Sequence, residues 1–314
     1  MKIYHQLSDF KKLDNAIVTI GTFDGVHFGH QKIIKRLCEL AKNSEGESVL
    51  LTFFPHPRMI IDPENQELKM INTIEEKAQI LASLGVDHLI ITPFTRDFSN
   101  LSANDYIKNI LVDAIGTKKI IIGYDHRFGK DRLGNISTLV ENSSTYGYQV
   151  EEIPEQDIND VAVSSTKIRK ALLDGDVALA NSYLGYAFSI YGPVIKGDKI
   201  GRTIGFPTAN IFVPETYKLI PGDGIYAVTV EMGEDKNPEV YRGMAYIGQR
   251  PTINGMTRNI EVNIFDFNRE IYGQNIKMNF LAFLREDVKF TGLEALTKQL
   301  QKDKEETLAF FEGK

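Results

Sequence analysis

The stretch Ala16-Ile17-Val18-Thr19-Ile20-Gly21-Thr22-Phe23-Asp24-Gly25-Val26-His27-Phe28-Gly29-His30 sets the architecture of the first half of the chain. An apolar, β-branched run leads into a glycine-bounded turn. Gln31–Asn43 follows, with Ile33, Ile34, Leu37, Leu40 and Ala41 at helical spacing. The order is strand, turn, helix. His27 and His30 stand three residues apart at the helix mouth and so face one pocket. Unpaired backbone N–H groups and the positive end of the helix dipole converge there, which suits an anion such as phosphate. Gly25 and Gly29 leave room for a ligand, and two imidazoles add donors that follow charge onto a phosphoryl oxygen. Asp24 either builds the turn or orients an imidazole.

Outward from this stretch, strand-like runs recur at 16–22, 49–54, 88–92, 119–123 and 148–153, with helical patterns between them. Thr73-Ile74-Glu75-Glu76 reads as a capping box for a helix that ends at Gly85. Ser102 reads as the cap of a helix carrying Tyr106, Ile110, Leu111 and Ala114 that stops at Gly116. Five strands alternating with helices predict an α/β, Rossmann-like domain around a parallel, doubly wound sheet. Ligands then bind at the carboxyl ends of its strands. The loops 21–30, 55–57 and 124–134 all fall on that edge. Residues 164–185 read as connecting helices. From about Tyr186 the apolar period changes to two, over 188–195, 209–213, 225–231, 241–248, 259–267 and 276–284. Six short strands without helices predict an all-β unit, a six-stranded antiparallel β-barrel. A helix opened by Thr291-Gly292-Leu293-Glu294 follows it. The expected domains are 1–185 and 186–314.

Composition bounds the function. The chain has 314 residues, of which 42% are hydrophobic, enough for two cores. A formal charge of −6 and a pI near 5.6 exclude an extended nucleic-acid footprint. No apolar run reaches the roughly 18 residues of a membrane span, and Met1-Lys2-Ile3-Tyr4-His5 carries no signal-peptide core. The single cysteine, Cys38, excludes an internal disulfide, reads as packing and fits a reducing cytoplasm. Neither a membrane nor a nucleic acid is an expected partner, and the oligomeric state is left open. The histidines are His5, His27, His30, His56, His88 and His126, all in the first 126 residues. Base chemistry in the second half therefore falls to a carboxylate, Tyr or Lys.

Further motifs carry chemistry. Pro55-His56-Pro57 pins an imidazole between two rigid residues. Ser164-Ser165-Thr166-Lys167-Ile168-Arg169 opens a helix with three hydroxyls and two cations, a set suited to phosphates. In Gly123-Tyr124-Asp125-His126-Arg127-Phe128-Gly129-Lys130, Arg127 and Phe128 either meet a phosphate and a planar ring or decorate a solvated turn. In Gly201-Arg202-Thr203-Ile204-Gly205-Phe206-Pro207-Thr208-Ala209-Asn210, Thr208 and Asn210 share one face of a strand. That face is either a ledge for Mg²⁺ and phosphate or a plain strand entry. Glu261 is a base or an exposed-face residue, and Arg250 and Arg285 are ligand clamps or surface arginines.

Taken together, these motifs resemble the bacterial bifunctional riboflavin kinase/FMN adenylyltransferases. The resemblance runs from about residue 17 to residue 290. It includes the 21–30 loop, Phe54-Pro55-His56-Pro57, residues 164–169 and the Gly205-Phe206-Pro207-Thr208-Ala209-Asn210 motif. It continues through Pro221-Gly222-Asp223-Gly224-Ile225-Tyr226, Ile247-Gly248-Gln249-Arg250-Pro251-Thr252 and the run from Glu261 through Tyr272-Gly273 to Leu284-Arg285. The first motif is shared by a wider nucleotidyltransferase superfamily, whereas Gly-Phe-Pro-Thr-Ala-Asn is far more specific to riboflavin kinases. The resemblance implies two ATP-dependent steps, riboflavin to FMN in 186–314 and FMN to FAD in 1–185, with flavins as substrates and products and Mg²⁺ as cofactor.

For the adenylyl step it implies His27 and His30 at the α-phosphate. Gly21, Phe23, Asp24, Gly29, His56, Ser164, Ser165, Thr166 and Arg169 would lie around ATP. Pro55, Tyr106, Asp125 and Phe128 would lie at the flavin. For the kinase step it implies Glu261 as base, with Thr208 and Asn210 on Mg²⁺ and phosphate. Gly201, Arg202, Gly205, Phe206 and Pro207 would lie at ATP, and Arg250 and Arg285 at the flavin. His126 departs from the family, which has an aromatic residue there. Competing readings are a pantetheine-phosphate- or glycerol-phosphate-type nucleotidyltransferase with a β accessory domain, and an OB-like nucleic-acid module.

Overall fold

Val18, Ile20, Val49, Leu51, Ile90, Ile120 and Ile122 are buried on one face of a sheet, and Ile17, Leu50, Leu89, Ile91 and Ile121 on the other. Strands apolar on both faces need helices on both sides, which is the parallel-sheet solution. In the computed structural model the strands are β1 (Lys2–Tyr4), β2 (Ala16–Ile20), β3 (Glu47–Phe53), β4 (His88–Thr92), β5 (Thr117–Gly123) and β6 (Gln149–Ile153). They are all parallel, in the order β1-β4-β3-β2-β5-β6. The strand order reverses beside β2, and ligands bind at such a switch point. The structure describes every residue except 63, 65–67, 155–162, 198–199, 234–236, 253–254 and 314; at 200, 250–252 and 255–257 it describes the backbone alone.

The helices are α1 (Phe28–Asn43), α2 (Pro57–Ile61), α3 (Ile74–Ser83), α4 (Tyr106–Ile115) and α5 (Ile136–Tyr146). The capping box of α3 is closed: Thr73 Oγ1 accepts the Glu76 N–H at 3.1 Å, and the Thr73 N–H donates to Glu76 Oε2 at 2.9 Å. Ser102 caps a short turn that runs into α4, a widened helix whose Gly116 N–H reaches back to the Leu111 carbonyl. α1 starts before its apolar stripe and takes in Gly29 and His30. β1 is an addition to the expected five strands. At three residues with polar Lys2 and Tyr4 it carries no readable period, and it lies at the sheet edge. It is held by register with β4 and by the pair Tyr4 Oη and His88 Nδ1 at 3.1 Å.

The second unit is a closed barrel in the order β10-β11-β8-β7-β12-β9. Its strands are β7 (Ser189–Ile195), β8 (Ala209–Ile211), β9 (Gly224–Met232), β10 (Glu239–Thr252), β11 (Gly255–Ile264) and β12 (Asn275–Arg285). All six expected strands are present and antiparallel. The chain divides into compact units Met1–Ser165 and Thr166–Lys314. This division precedes residue 185 because α6 (Ser165–Leu173) and α7 (Val177–Leu184) bond to the barrel. The Gly222 N–H donates to the Leu172 carbonyl at 2.8 Å, and the Asn181 amide joins Phe188 N to Phe280 O.

α8 (Leu293–Glu312) packs on β9, β10 and β12. Arg285 at the end of β12 forms a two-pronged pair with Asp303 of α8, Nε to Oδ1 at 2.7 Å and Nη2 to Oδ2 at 2.6 Å. Asp303 is wholly buried. Arg285 Nη1 also donates to the Glu286 carbonyl, so the guanidinium tethers the helix to the barrel. Removing one partner of such a pair strands a buried charge. Arg285→Met should destabilise the second unit by roughly 3 kcal/mol, read as a lowered midpoint in chemical denaturation.

Candidate active sites

In the first unit, Phe23 (φ 46°), Gly25 (φ 84°) and Val26 (φ 37°) all take left-handed backbone. Two non-glycine residues in that region mark a loop held in strain by its surroundings. Two contacts hold it on each side. The Thr22 carbonyl accepts Lys77 Nζ of α3 at 2.6 Å and Thr52 Oγ1 at 3.3 Å. The buried Asp24 carboxylate accepts the N–H of Ile71 at 3.0 Å, and the Asp24 carbonyl accepts Ser165 Oγ at 2.9 Å. Asp24 thus builds the turn.

The loop delivers His27 as the cap residue of α1 and His30 to its first turn. Their rings stack with centroids 3.7 Å apart, and Phe23 meets His30 edge-on. The His27 side chain does not cap the helix and no acid stands in the first turn, so the N-terminal amides face the site. The Nδ1 atoms of both rings are buried without a hydrogen-bond partner. Burial lowers the His27 pKa to about 4. Burial, then the charges of His27 and Lys77, lowers that of His30. At neutral pH the pair is therefore two neutral imidazoles, each one directional N–H donor without net charge.

His56 caps α2, its Nδ1 accepting the Arg58 N–H at 3.2 Å. It and exposed Pro55 follow β3 on the carboxyl edge. Asp125 is exposed. Tyr106 and Phe128 are 2% and 7% exposed and belong to the core, with rings 5.3 Å apart. Both rings pack into the hydrophobic core beneath the sheet's carboxyl-edge loops. The Tyr106 hydroxyl and His126 Nε2 are nonetheless buried without partners, and burial lowers the His126 pKa to about 4. Ser164 and Thr166 are exposed, and Thr166 and Arg169 fall in the second unit. Cys38 is half-buried and burial pushes its thiol up, as packing requires.

In the barrel, register places Asn210 of β8 opposite Glu261 of β11. Thr208 Oγ1 donates to Glu261 Oε2 at 2.9 Å, and Asn259 Nδ2 donates to Oε1 at 2.5 Å. Hydroxyl, amides and carboxylate thereby meet in one half-exposed cluster. Phe206 is buried against Met244 and Phe265 and anchors the segment leading to Thr208. Gly201, whose carbonyl accepts the N–H groups of Ile204 and Phe206, closes the turn; Arg202, Gly205 and Pro207 are exposed. The side chain of Arg250 lies outside the described residues.

Sequence reasoning missed Lys77 and Asn259. Lys77 lies on the inward face of α3 with Ala78 and Leu81, and a charge at an apolar-stripe position was its signal. Asn259, two residues from Glu261 on the same strand face, was legible by period two. Arg258 was missed as well. It pairs with Asp223 at 2.8 Å and holds the Ile220 and Pro221 carbonyls, fixing the turn into β9.

A family model described as FAD synthetase matches residues 9–167, and one described as riboflavin kinase matches residues 184–311. Bifunctional riboflavin kinase/FMN adenylyltransferases of Listeria monocytogenes, Bacillus subtilis and Escherichia coli K12 are 39%, 37% and 35% identical to this chain. The matches cover 98%, 94% and 98% of it and 97%, 92% and 96% of those proteins. A crystal structure described as a macrolide-efflux protein from Streptococcus pneumoniae is 32% identical, with a TM-score of 0.87 over 98% of each chain. Efflux is said of that protein; among the described residues here no helix is long and apolar enough to cross a membrane.

Fold and family models together define a nucleotidyltransferase joined to a flavin-directed kinase. The chain belongs to the bifunctional riboflavin kinase/FMN adenylyltransferase family. Its C-terminal half phosphorylates riboflavin to FMN, and its N-terminal half adenylylates FMN to FAD.

The paired imidazoles carry a pH signature. The folded state holds His27 and His30 neutral, whereas the unfolded chain protonates them near 6.5. Stability is therefore full above about pH 6.5 and falls as pH drops toward about 4. Denaturation midpoints measured at falling pH should show this loss, and a His27→Asn/His30→Asn double variant should flatten it. In NMR titration, the ring resonances assigned by these variants should not move between about pH 7.5 and about pH 5.5.

Proposed function

We propose that the two halves divide their chemistry by whether the nucleophile needs a base. The observation that carries this is the contrast between neutral, stacked His27 and His30 in one unit and the hydrogen-bonded Glu261 carboxylate in the other. In the kinase step a neutral ribityl hydroxyl of riboflavin attacks the γ-phosphate of ATP. Its proton must leave, and Glu261, aimed by Thr208 and Asn259, is the base. In the adenylyl step the nucleophile is the FMN phosphate, already an anion, which attacks the α-phosphate of ATP and expels pyrophosphate. No base is needed. In-line positioning and donors aimed at the developing charge carry the rate. His27 and His30 supply those donors beside the amides of α1. Ser164 and Ser165, at the end of the same unit, serve the β- and γ-phosphates.

The kinase cluster suits Mg²⁺. The Thr208 hydroxyl, the Asn210 amide oxygen and the Glu261 carboxylate are hard oxygen donors. No group of three or more His, Cys, Asp or Glu able to hold a metal exists among the described residues. A cation held by one or two protein oxygens and by substrate phosphates matches that set. Thr208 and Asn210 would hold it, and it would neutralise charge on the transferring phosphoryl group. Riboflavin, FMN and ATP are the partners of this reading. A lone, half-buried cysteine with a raised pKa accords with a reducing, cytoplasmic setting.

Glu261→Gln should lower FMN formation from riboflavin by roughly 10²–10⁴-fold while leaving FAD formation from supplied FMN intact. His30→Ala should lower FAD formation by roughly 10²-fold and spare FMN formation. Each variant is assayed with riboflavin and with FMN, products being separated by chromatography. Loss of both steps in either variant would sink the division.

A further inference from the structure

Lys77 is 3% exposed, on a helix face where spacing calls for an apolar residue. An ammonium carries three N–H donors. This one makes a single hydrogen bond to a described residue, to the Thr22 carbonyl at 2.6 Å. Burying an ammonium with donors to spare is costly, and an apolar side chain would fill the place without that cost. What surrounds it supplies a reason. Thr22 belongs to the strained loop that delivers His27 and His30, whose Nδ1 atoms also lack partners. Groups with unused polar capacity thus converge on the uncapped mouth of α1.

We propose that Lys77 is a positioning residue for adenylyl transfer: it fixes the loop through the Thr22 carbonyl and supplies the fixed positive charge that a triphosphate meets beside His27 and His30. The inference rests on reading that pair as the adenylyl-transfer site. The labour is split. Lys77 provides charge without direction, and the imidazoles provide direction without charge, because the lysine opposes protonation of His30. The charged and titratable groups that act on Lys77 are Asp24 from the loop and His30 from α1, with Glu76 its neighbour on α3. Asp24 favours the charged ammonium, but burial outweighs it and brings the Lys77 pKa to about 8.

The test uses Lys77→Met and Lys77→Arg in the full chain, with His30→Ala in parallel. FAD formation from FMN and ATP is followed from about pH 6 to about pH 9.5, alongside riboflavin phosphorylation and thermal melting. In Lys77→Met, kcat for FAD formation should fall by about 30-fold or more, with riboflavin phosphorylation unchanged and the melting temperature not lowered. The wild-type rate should decline as pH rises through about 8, where the ammonium loses its proton. The residual Lys77→Met rate should lack that decline, and Lys77→Arg, charged at every pH tested, should regain activity and displace the decline upward.

FAD formation retained within about threefold in Lys77→Met overturns the proposal. So does activity lost together with a melting temperature lowered by roughly 5 °C, with a wild-type pH decline kept, since that marks a strut only. His30→Ala separates the failures. If it is inactive while Lys77→Met is active, only the role of Lys77 falls; if His30→Ala keeps full activity, the reading of the site falls as well.

Discussion

One carbonyl oxygen, that of Thr22, carries much of the first unit. It takes Lys77 from α3 and Thr52 from β3, and so ties the turn after β2 to two neighbouring elements. Without such a tie, the left-handed Phe23 and Val26 would relax, and the two imidazoles would no longer be stacked at the mouth of α1. The parallel sheet sets where that loop can be. β2 lies at the reversal of strand order, with neighbours on both sides. The fold therefore supplies a crevice, and a few polar contacts turn the crevice into a site.

The barrel solves a different problem by different means. There the reacting groups come from adjacent strands, and register fixes them: Asn210 faces Glu261 across a ladder, and Thr208 bonds the same carboxylate. A strand ladder is a stiff frame for a base, because a slip of one residue would turn every side chain to the other face. A strained loop is a good frame for anion-binding amides, which need open backbone rather than a paired one. The two chemistries of this family thus sit on backbones suited to each.

Much of this was legible from residue order. β2 to β5 and the barrel strands announce themselves by apolar runs or by period two, because each buries at least part of one face, whereas β6 was read with no residue fully buried. The cap of α3 was readable because a hydroxyl and a carboxylate three residues apart can bond reciprocally. β1 was not, since three edge residues bury too little to leave a pattern. Nor was the partner of Arg285 readable: whether a guanidinium pairs with a carboxylate eighteen positions away depends on how α8 lies on the barrel. Tyr106 and Phe128 were legible as aromatics near the right loop, but their depth in the core came from tertiary packing.

The tether between Arg285 and Asp303 bears on how this chain is made. Phe206, Met244 and Phe265 pack with Leu300 and Leu308 of α8, and Phe206 stands two residues before Thr208. α8 is synthesised after every strand of the barrel. A ribosome-bound chain with all its strands complete still shows that apolar patch and an unmatched guanidinium. The sheet unit is whole by then. The barrel, by contrast, completes its contacts at Phe206 and Arg285 only with the last residues of the chain.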